Sequence, residues 1–307
     1  YILIVLSIFC MGYIVLFQAD LAMRIAQFTM LDKIIALIGT LIVLEITRRT
    51  SAPALVIIAS VFIAYAFLGQ NLPGFLRHPG YGWDDVVACL FLGQEAIFGT
   101  VMNVMVTFIY MFLFFGAVMQ VTGAGKYFID FALGLTGKVA GGPALAAVVS
   151  SSLMGSVSGS PVANVTATGS FTIPLMKKVG YNPIFAGAVE AVASTGGQLV
   201  PPVMGATAFV MSEIIGVPYA RIVLCAIIPA FLYYLCCGLS VYFRAKVEGL
   251  EGLPKQALPS SVKALKEGWF LFVAVIVLFY LIMHGISPGY SAFWATLILI
   301  LLSYTNR

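Results

Sequence analysis

Charge is what this sequence has least of. Its 307 residues hold 16 Lys or Arg and 12 Asp or Glu, 9% in all, against about 25% in an ordinary soluble domain. Too few charges remain to solvate the surface of a water-soluble fold, and no clustered run of Lys and Arg marks a nucleic-acid partner. Histidine is nearly absent, with two residues, His78 and His284. Neither stands near a ligand set, so a transition-metal centre is not expected. The five cysteines, Cys10, Cys89, Cys225, Cys236 and Cys237, lack metal-ligand spacing and read as buried free thiols. No phosphate loop is present; 123-GAGK-126 lacks the spacing and reads as a turn before a helix. The chain opens on Tyr1 without a basic segment and cleavage site, so no signal peptide is read.

What is there is apolar: 61% hydrophobic residues and a mean hydropathy of +1.05. Several runs approach the roughly 18–20 residues that cross a bilayer. The fold class expected is an all-α polytopic membrane protein with spans at 1–17, 31–47, 52–69, 100–122, 221–243, 267–284 and 289–304. Residues 70–99 read as a loop and an interfacial helix with Trp83 at headgroup level. Residues 245–266 read as one long polar loop.

The positive charges orient these spans. With Arg48 and Arg49 in the cytoplasm, Lys126, Lys138, Lys177, Lys178, Arg244, Lys246, Lys255, Lys263, Lys266 and Arg307 fall on the same side. Arg24, Lys33, Arg77 and Arg221 fall outside, a clear positive-inside bias. Lys138 and Lys177–Lys178 share a side only if 142–176 crosses an even number of times. Each arm of that stretch is short for a span, which predicts a hairpin entering from the cytoplasm and turning at 155–160.

The turn, 155-GSVSGSPVANVTATGS-170, is polar within one of the most apolar parts of the chain. Irregular backbone at membrane depth persists only inside protein or beside a watery cavity. Gly155 and Gly159 permit unusual backbone, Pro161 suits a first helical turn, and Ser158 or Ser160 is positioned to cap the returning helix. Free carbonyls ending one arm and free amides opening the next suit a small cation beside a carboxylate. In 184–216 the same device recurs: the middle reads Ser194, Thr195, Gly196, Gly197, Gln198, then Pro201 and Pro202, and its glycines and prolines break a helix otherwise long enough to span. Two broken elements in succession point to a substrate and ion site near mid-membrane. Gly155 and Gly159 also form a GxxxG pair suited to plain helix packing. Glu190, one to two turns before the break, reads equally as a transport residue, a structural partner or a neutral buried acid.

The stretches 153-LMGSVSGSPVANVTATGSFTIPLMKKVGY-181, 186-AGAVEAVASTGGQLVPPVMGATAFVMSEIIGVPY-219, 116-GAVMQVTGAGKYFIDFALGLTGKVAGGPA-144 and 92-LGQEAIFG-99 resemble the large membrane subunit (DctM-like) of tripartite ATP-independent periplasmic (TRAP) transporters. The resemblance is nearest to the fused permeases that work with TAXI-type binding proteins. It implies a secondary importer of organic acids, fed by a periplasmic binding protein, coupled to sodium and moving as an elevator, with no other cofactor. It implies that Ser156, Ser158, Gly159, Ser160 and Asn164, with Thr195, Gly196 and Gly197, hold sodium. Ser160, Asn164, Gln198, Pro201, Pro202 and Glu190 face substrate, and proton coupling through Glu190 is the minor alternative. The domain reading is 1–70 as helices resembling the family's small subunit, 71–99 as a periplasmic loop and interfacial helix, and 100–141 as a span and connecting helix. It continues with 142–220 as the transport hairpin and broken helix and 221–307 as scaffold. The family has two inverted repeats and one set is visible here, so the second is expected outside this chain, which reads as a fragment or a separate half.

Two other classes are weighed. A membrane serine protease would pair Ser158 with His284, but no threading brings the two together. A non-transporting scaffold or anchor would favour unbroken Leu-rich helices, the opposite of the centre of this chain. Asn164-Val165-Thr166 matches a glycosylation acceptor, at a place no glycosylating enzyme reaches.

Overall fold

The computed structural model describes residues 2–23, 28–254, 256 and 258–305. Arg24, Lys255 and Arg307, three of the charges used for orientation, lie outside the described residues. The described chain is helical without a strand. It divides into two compact units, Tyr1–Asn103 and Val104–Arg307.

In the first unit the expected spans appear as helices Ile2–Met23, Met30–Thr50 and Pro53–Leu68. Thr29 and Asp32 form a reciprocal capping box that starts the second, with Asp32 accepting from the Thr29 amide at 2.7 Å. Asp32 is fully buried and also takes the Tyr13 hydroxyl at 2.5 Å, tying the first two helices together. Phe91 packs where any side chain on Gly39 would stand. Met30–Thr50 is less apolar than its neighbours. Asp32 and Lys33 near its start and Glu45, Arg48 and Arg49 near its end keep it from meeting the length-and-apolarity standard for a span that the first and third helices meet. Between 69 and 82 the chain makes two short 3-10 turns, and the helix expected after this loop is brief: Trp83–Val87, loosening into π turns at Ala88–Leu92.

The second unit continues the helix Thr100–Val121, then adds Ala124–Thr136 and the paired arms Gly142–Ser158 and 161–179. The broken segment Pro183–Gly196 and Ala206–Ile215 follows, then the long helix Tyr219–Val247. The reading of 245–266 as one polar loop is corrected. Tyr219–Val247 runs past it at one end, and at the other Ser260 caps a helix Ser261–Glu267 by accepting from the Lys263 amide. That short helix meets Trp269–Met283 at a 71° bend, and Pro288–Thr305 completes the unit. Among the described residues, five helices are long and apolar enough to cross a membrane, six if the bent pair is one span.

Phe112, Phe115, Met154, Phe209, Leu278 and Leu299 form the centre of this unit, while Val106, Ile228, Phe231 and Ile276 stand exposed on outer helix faces. Apolar surface turned outward on helices of this length is what a lipid solvent requires. The cysteine reading changes for the same reason. Cys10 is buried, but Cys89, Cys225 and Cys236 are exposed on helices, where a small apolar thiol is at home against lipid.

Candidate functional site

The first arm begins after Gly141 (φ 74°) and ends at Gly159 (φ 59°). The Gly159 amide donates to Gly155 O at 2.9 Å, a left-handed helix stop. A side chain there would run into the Met204 carbonyl, so glycine is required both by the backbone angle and by the neighbour. Of the two candidate caps, Ser160 takes the role: its Oγ accepts from the Ala163 amide at 3.4 Å, with Pro161 in the first turn. Ser158 instead donates to Ser160 O at 3.5 Å.

The second arm is one helix with a slip. Its ladder passes through π turns at Val165–Gly169 before returning to α form. Such single-turn bulges insert a residue and re-aim the faces on either side. Here Asn164, Thr168 and Thr172, four apart in sequence, all turn inward and are buried. Asn164 Nδ2 donates to Ser151 O at 2.8 Å, binding the two arms together.

In the broken segment the helix tightens to a 3-10 turn at Gly197–Leu199 and passes through Val200 in extended form and a cis Pro201–Pro202 bond. It restarts at Ala206 after Met204, which has φ 55°. A left-handed backbone on a residue this large is an outlier held by its surroundings. Gly205 N closes the loop onto Gln198 O at 2.8 Å.

The two interruptions meet. A Cβ on Gly155 would overlap Gly197 Cα, and one on Gly197 would overlap Gly155 Cα. Val203 N donates to Ser156 O at 3.1 Å across the same junction. The structure therefore brings Ser156, Gly159 and Asn164 together with Gly197, Val203 and Met204, while Ser158 lies against Gly116 and Gly196 packs against Tyr233 and Tyr234. Thr195 is placed differently: its side chain is exposed and its hydroxyl turns back to Ala191 O at 2.7 Å. Gln198 is also exposed, Pro201 is half-buried and Pro202 is buried. Some carbonyls expected to be free at the tip are already engaged, those of Gly155 and Ser156 among them.

Glu190 is fully buried, and four hydroxyls contact its carboxyl group. Thr168, Ser151 and Ser194 reach Oε1 at 2.5, 3.1 and 3.1 Å, and Thr172 reaches Oε2 at 2.5 Å. Ser151 comes from the first arm, Thr168 and Thr172 from the second, and Ser194 from Glu190's own helix. Ser194 was read from the sequence only as part of the break, and Ser151, Thr168 and Thr172 were not singled out. Their signal was faint: Ser194 stands four residues after Glu190, and Thr168 and Thr172 share that spacing.

Three tyrosines of Tyr219–Val247 were also missed. Tyr233 and Tyr234 donate to Val192 O and Ala193 O at 2.8 and 2.7 Å, just before the break. Tyr219 lies 2.9 Å from Pro202 O and 2.8 Å from Val203 O, just after it. One helix thus serves carbonyls at both ends of the broken segment, where the helical ladder no longer can.

A helical hairpin locked against a broken helix, among helices of membrane length, defines a multi-pass membrane protein of transporter type. A family profile describing the DctM component of tripartite ATP-independent periplasmic transporters matches residues 38–307, and the chain belongs to that family. The family comprises transport permeases, not enzymes. The C4-dicarboxylate TRAP transporter large permease proteins DctM of Vibrio cholerae and Pseudomonas aeruginosa are 34% and 31% identical over 168 and 184 residues. Those stretches are 54% and 59% of this chain and 37% and 42% of the relatives, so the chain spans well under two thirds of their length. The sialic acid permease SiaM of Vibrio cholerae is 26% identical over 178 residues, 58% of this chain and 40% of that protein.

Proposed function

We propose that this chain is the permease portion of a sodium-coupled secondary importer of small organic acids in the bacterial inner membrane. The observation that carries the reading is the junction of two interrupted helices at Gly155 and Gly197, with Ser156, Ser158, Gly159, Ser160, Asn164, Thr195, Gly196 and Gly197 close in sequence to it. Oxygen donors from carbonyls, hydroxyls and an amide suit a hard monovalent cation, and broken helices provide such donors beside a carboxylate site. Ser160, Asn164, Gln198, Pro201 and Pro202 then face the substrate. The names of the relatives support a carboxylate: C4-dicarboxylate for two and sialic acid for a third.

In this reading 142–176 is a re-entrant hairpin opened from the cytoplasm, and Lys177, Lys178 and 245–266 are cytoplasmic. A periplasmic TAXI-type binding protein delivers the substrate. A second inverted repeat completes the pocket, and the hairpin and broken helix carry the substrate inward as an elevator. Sodium suffices energetically. Two sodium ions carrying a monoanion move one net charge, about 2.3 kcal/mol per 100 mV, and a tenfold sodium gradient adds about 1.4 kcal/mol per ion. The sum, about 5 kcal/mol, supports roughly 10⁴-fold accumulation.

The test is thermal stability of the purified chain in sodium against potassium and choline at constant ionic strength. A ligand at 100 times its Kd stabilises by about 2.7 kcal/mol. A sodium-specific rise that disappears in Ser160→Ala with Thr195→Ala supports the site. No sodium effect, either here or in a chain carrying both repeats, removes sodium from this junction.

A further inference from the structure

Glu190 stands apart from the candidate cation ligands. It precedes Thr195 by five residues, and its hydrogen-bond partners are Ser151, Thr168, Thr172 and Ser194, none of them a candidate ligand. Its Cγ lies 3.0 Å from where a Cβ on Gly169 would be, so a glycine in the slipped stretch lets the second arm close over it. Among the described residues no cation pairs with it. The hairpin arms present only hydroxyls and the Asn164 amide. Of the titratable groups on the helix Tyr219–Val247, Tyr234 is the one that feels the charge of Glu190, with Tyr233 and Cys237 beside it; Tyr234 is engaged with Ala193 O and Tyr233 with Val192 O. Tyr219, Arg221, Cys225, Cys236, Tyr242, Arg244 and Lys246 stand elsewhere along that helix. Lys177 and Lys178 are exposed at the far end of the second arm.

An isolated buried charge is costly, and a hydroxyl oxygen both donates and accepts at a single atom, switching role by rotation alone. With the carboxyl group charged, Thr172 donates to Oε2 while Ser151, Thr168 and Ser194 donate to Oε1. With a proton on Oε2, that O–H donates to Thr172 Oγ1. The Thr172 hydroxyl then turns to Thr168 O, already 3.0 Å away. Thr168 retains Asn164 O at 2.9 Å as an alternative acceptor. Both protonation states leave every polar group satisfied, with no change beyond the rotation of hydroxyls. Because each carboxyl oxygen already touches its partners at 2.5–3.1 Å, a proton is the cation that enters without displacing one of them.

We infer that Glu190 and its four hydroxyls form a proton-binding site, separate from the Gly155–Gly197 junction, that the closed bundle seals from water. One proton from hydronium is bound by the carboxylate and water is left; release reverses this. Binding depends on the hydroxyl cage alone, while a role for the proton in coupling rests on the permease reading above.

Infrared difference spectroscopy of the purified chain between acid and alkaline buffer tests this. Expected in the wild type is a protonated-carboxyl band that appears on acidification and is missing in Glu190→Gln. That variant should keep the wild-type melting temperature in acid, because glutamine mimics the neutral acid. Thr172→Val, which removes the hydroxyl that switches roles, should move the band and the midpoint of its titration, and it serves also if Glu190→Gln fails to fold. An identical set of bands in wild type and Glu190→Gln, or no response to Thr172→Val, would overturn the proposal. The sodium melting experiment is independent. A Glu190 band without a sodium effect sinks only the sodium reading; a sodium effect without the band sinks only the proton site.

Discussion

Gly155 and Gly197 each occupy the space that a side chain on the other would need. The hairpin tip and the break therefore touch backbone to backbone, and methyl groups cannot be added without parting them. Overpacking of a tight contact costs about 1–3 kcal/mol. Gly155→Ala and Gly197→Ala should each lower the melting temperature and abolish any sodium stabilisation. Gly187→Ala is the control: it lies mid-helix with nothing within 4 Å of the added Cβ. It should be neutral or slightly stabilising, since alanine is the better helix former by about 0.5–1 kcal/mol. Equal effects at all three positions would mean that the contact does not hold the junction.

Ser160 and Ser158 separate a cap from a bystander. Ser160→Ala removes the acceptor for the Ala163 amide and should cost about 1 kcal/mol, as N-cap losses do. Ser158→Ala gives up only a 3.5 Å contact to Ser160 O and should change stability little. Melting curves in potassium, free of sodium effects, check the order. A larger loss at Ser158 would contradict the capping geometry.

The tyrosines of Tyr219–Val247 should rank by the carbonyls they serve. Tyr219→Phe removes the one proton that lies between two buried carbonyls, those of Pro202 and Val203, from a fully enclosed site. Tyr234→Phe and Tyr233→Phe each take the donor from one carbonyl, and the Tyr233 bond is the more exposed. A typical bond contributes about 1 kcal/mol, and a carbonyl left buried without a partner costs more. The expected order of destabilisation is Tyr219, then Tyr234, then Tyr233. Hydrogen exchange should quicken at 196–205 in the same order, and protection unchanged in all three variants would show that this helix does not brace the break.

Which features were legible in the sequence follows from the range of the interactions involved. Gly159, Pro161 and the Pro201–Pro202 pair act through their own backbone, so the turn and the break were readable from residue type alone. Most span positions were readable because long apolar runs approach the roughly 18–20 residues that cross a bilayer. The 245–266 stretch misled because a short polar helix capped by Ser260 has the composition of a loop. The π slip at Val165–Gly169 has no local signature, yet it directs Thr168 and Thr172 toward Glu190. The Gly155–Gly197 contact and the tyrosine bonds join residues about 15–45 apart, and composition and periodicity carry no information about such pairings.

Tyr181 presents the opposite case to the three bracing tyrosines. It lies in the link between the second arm and the broken helix, 2% exposed, and its hydroxyl has no hydrogen-bond partner. Burial first, and then the charge of Glu248, push that hydroxyl up to about 12 from an ordinary 10.0. Tyr181→Phe removes an unpaired polar atom and keeps the ring stacked on Phe185 at 5.7 Å. It should therefore stabilise the protein by about 1 kcal/mol at neutral pH. The difference keeps its sign throughout and only widens as pH rises. Below pH 10 the hydroxyl is protonated folded and unfolded, so wild type and variant differ by a constant. Above 10.0 the unfolded chain ionises first, and the wild type loses stability until the folded hydroxyl follows at about 12. Tyr181→Phe escapes that loss, so its advantage should grow between pH 10 and 12. Melting curves of both proteins across that range measure the difference. A variant less stable than wild type at neutral pH would show that the hydroxyl is paired after all.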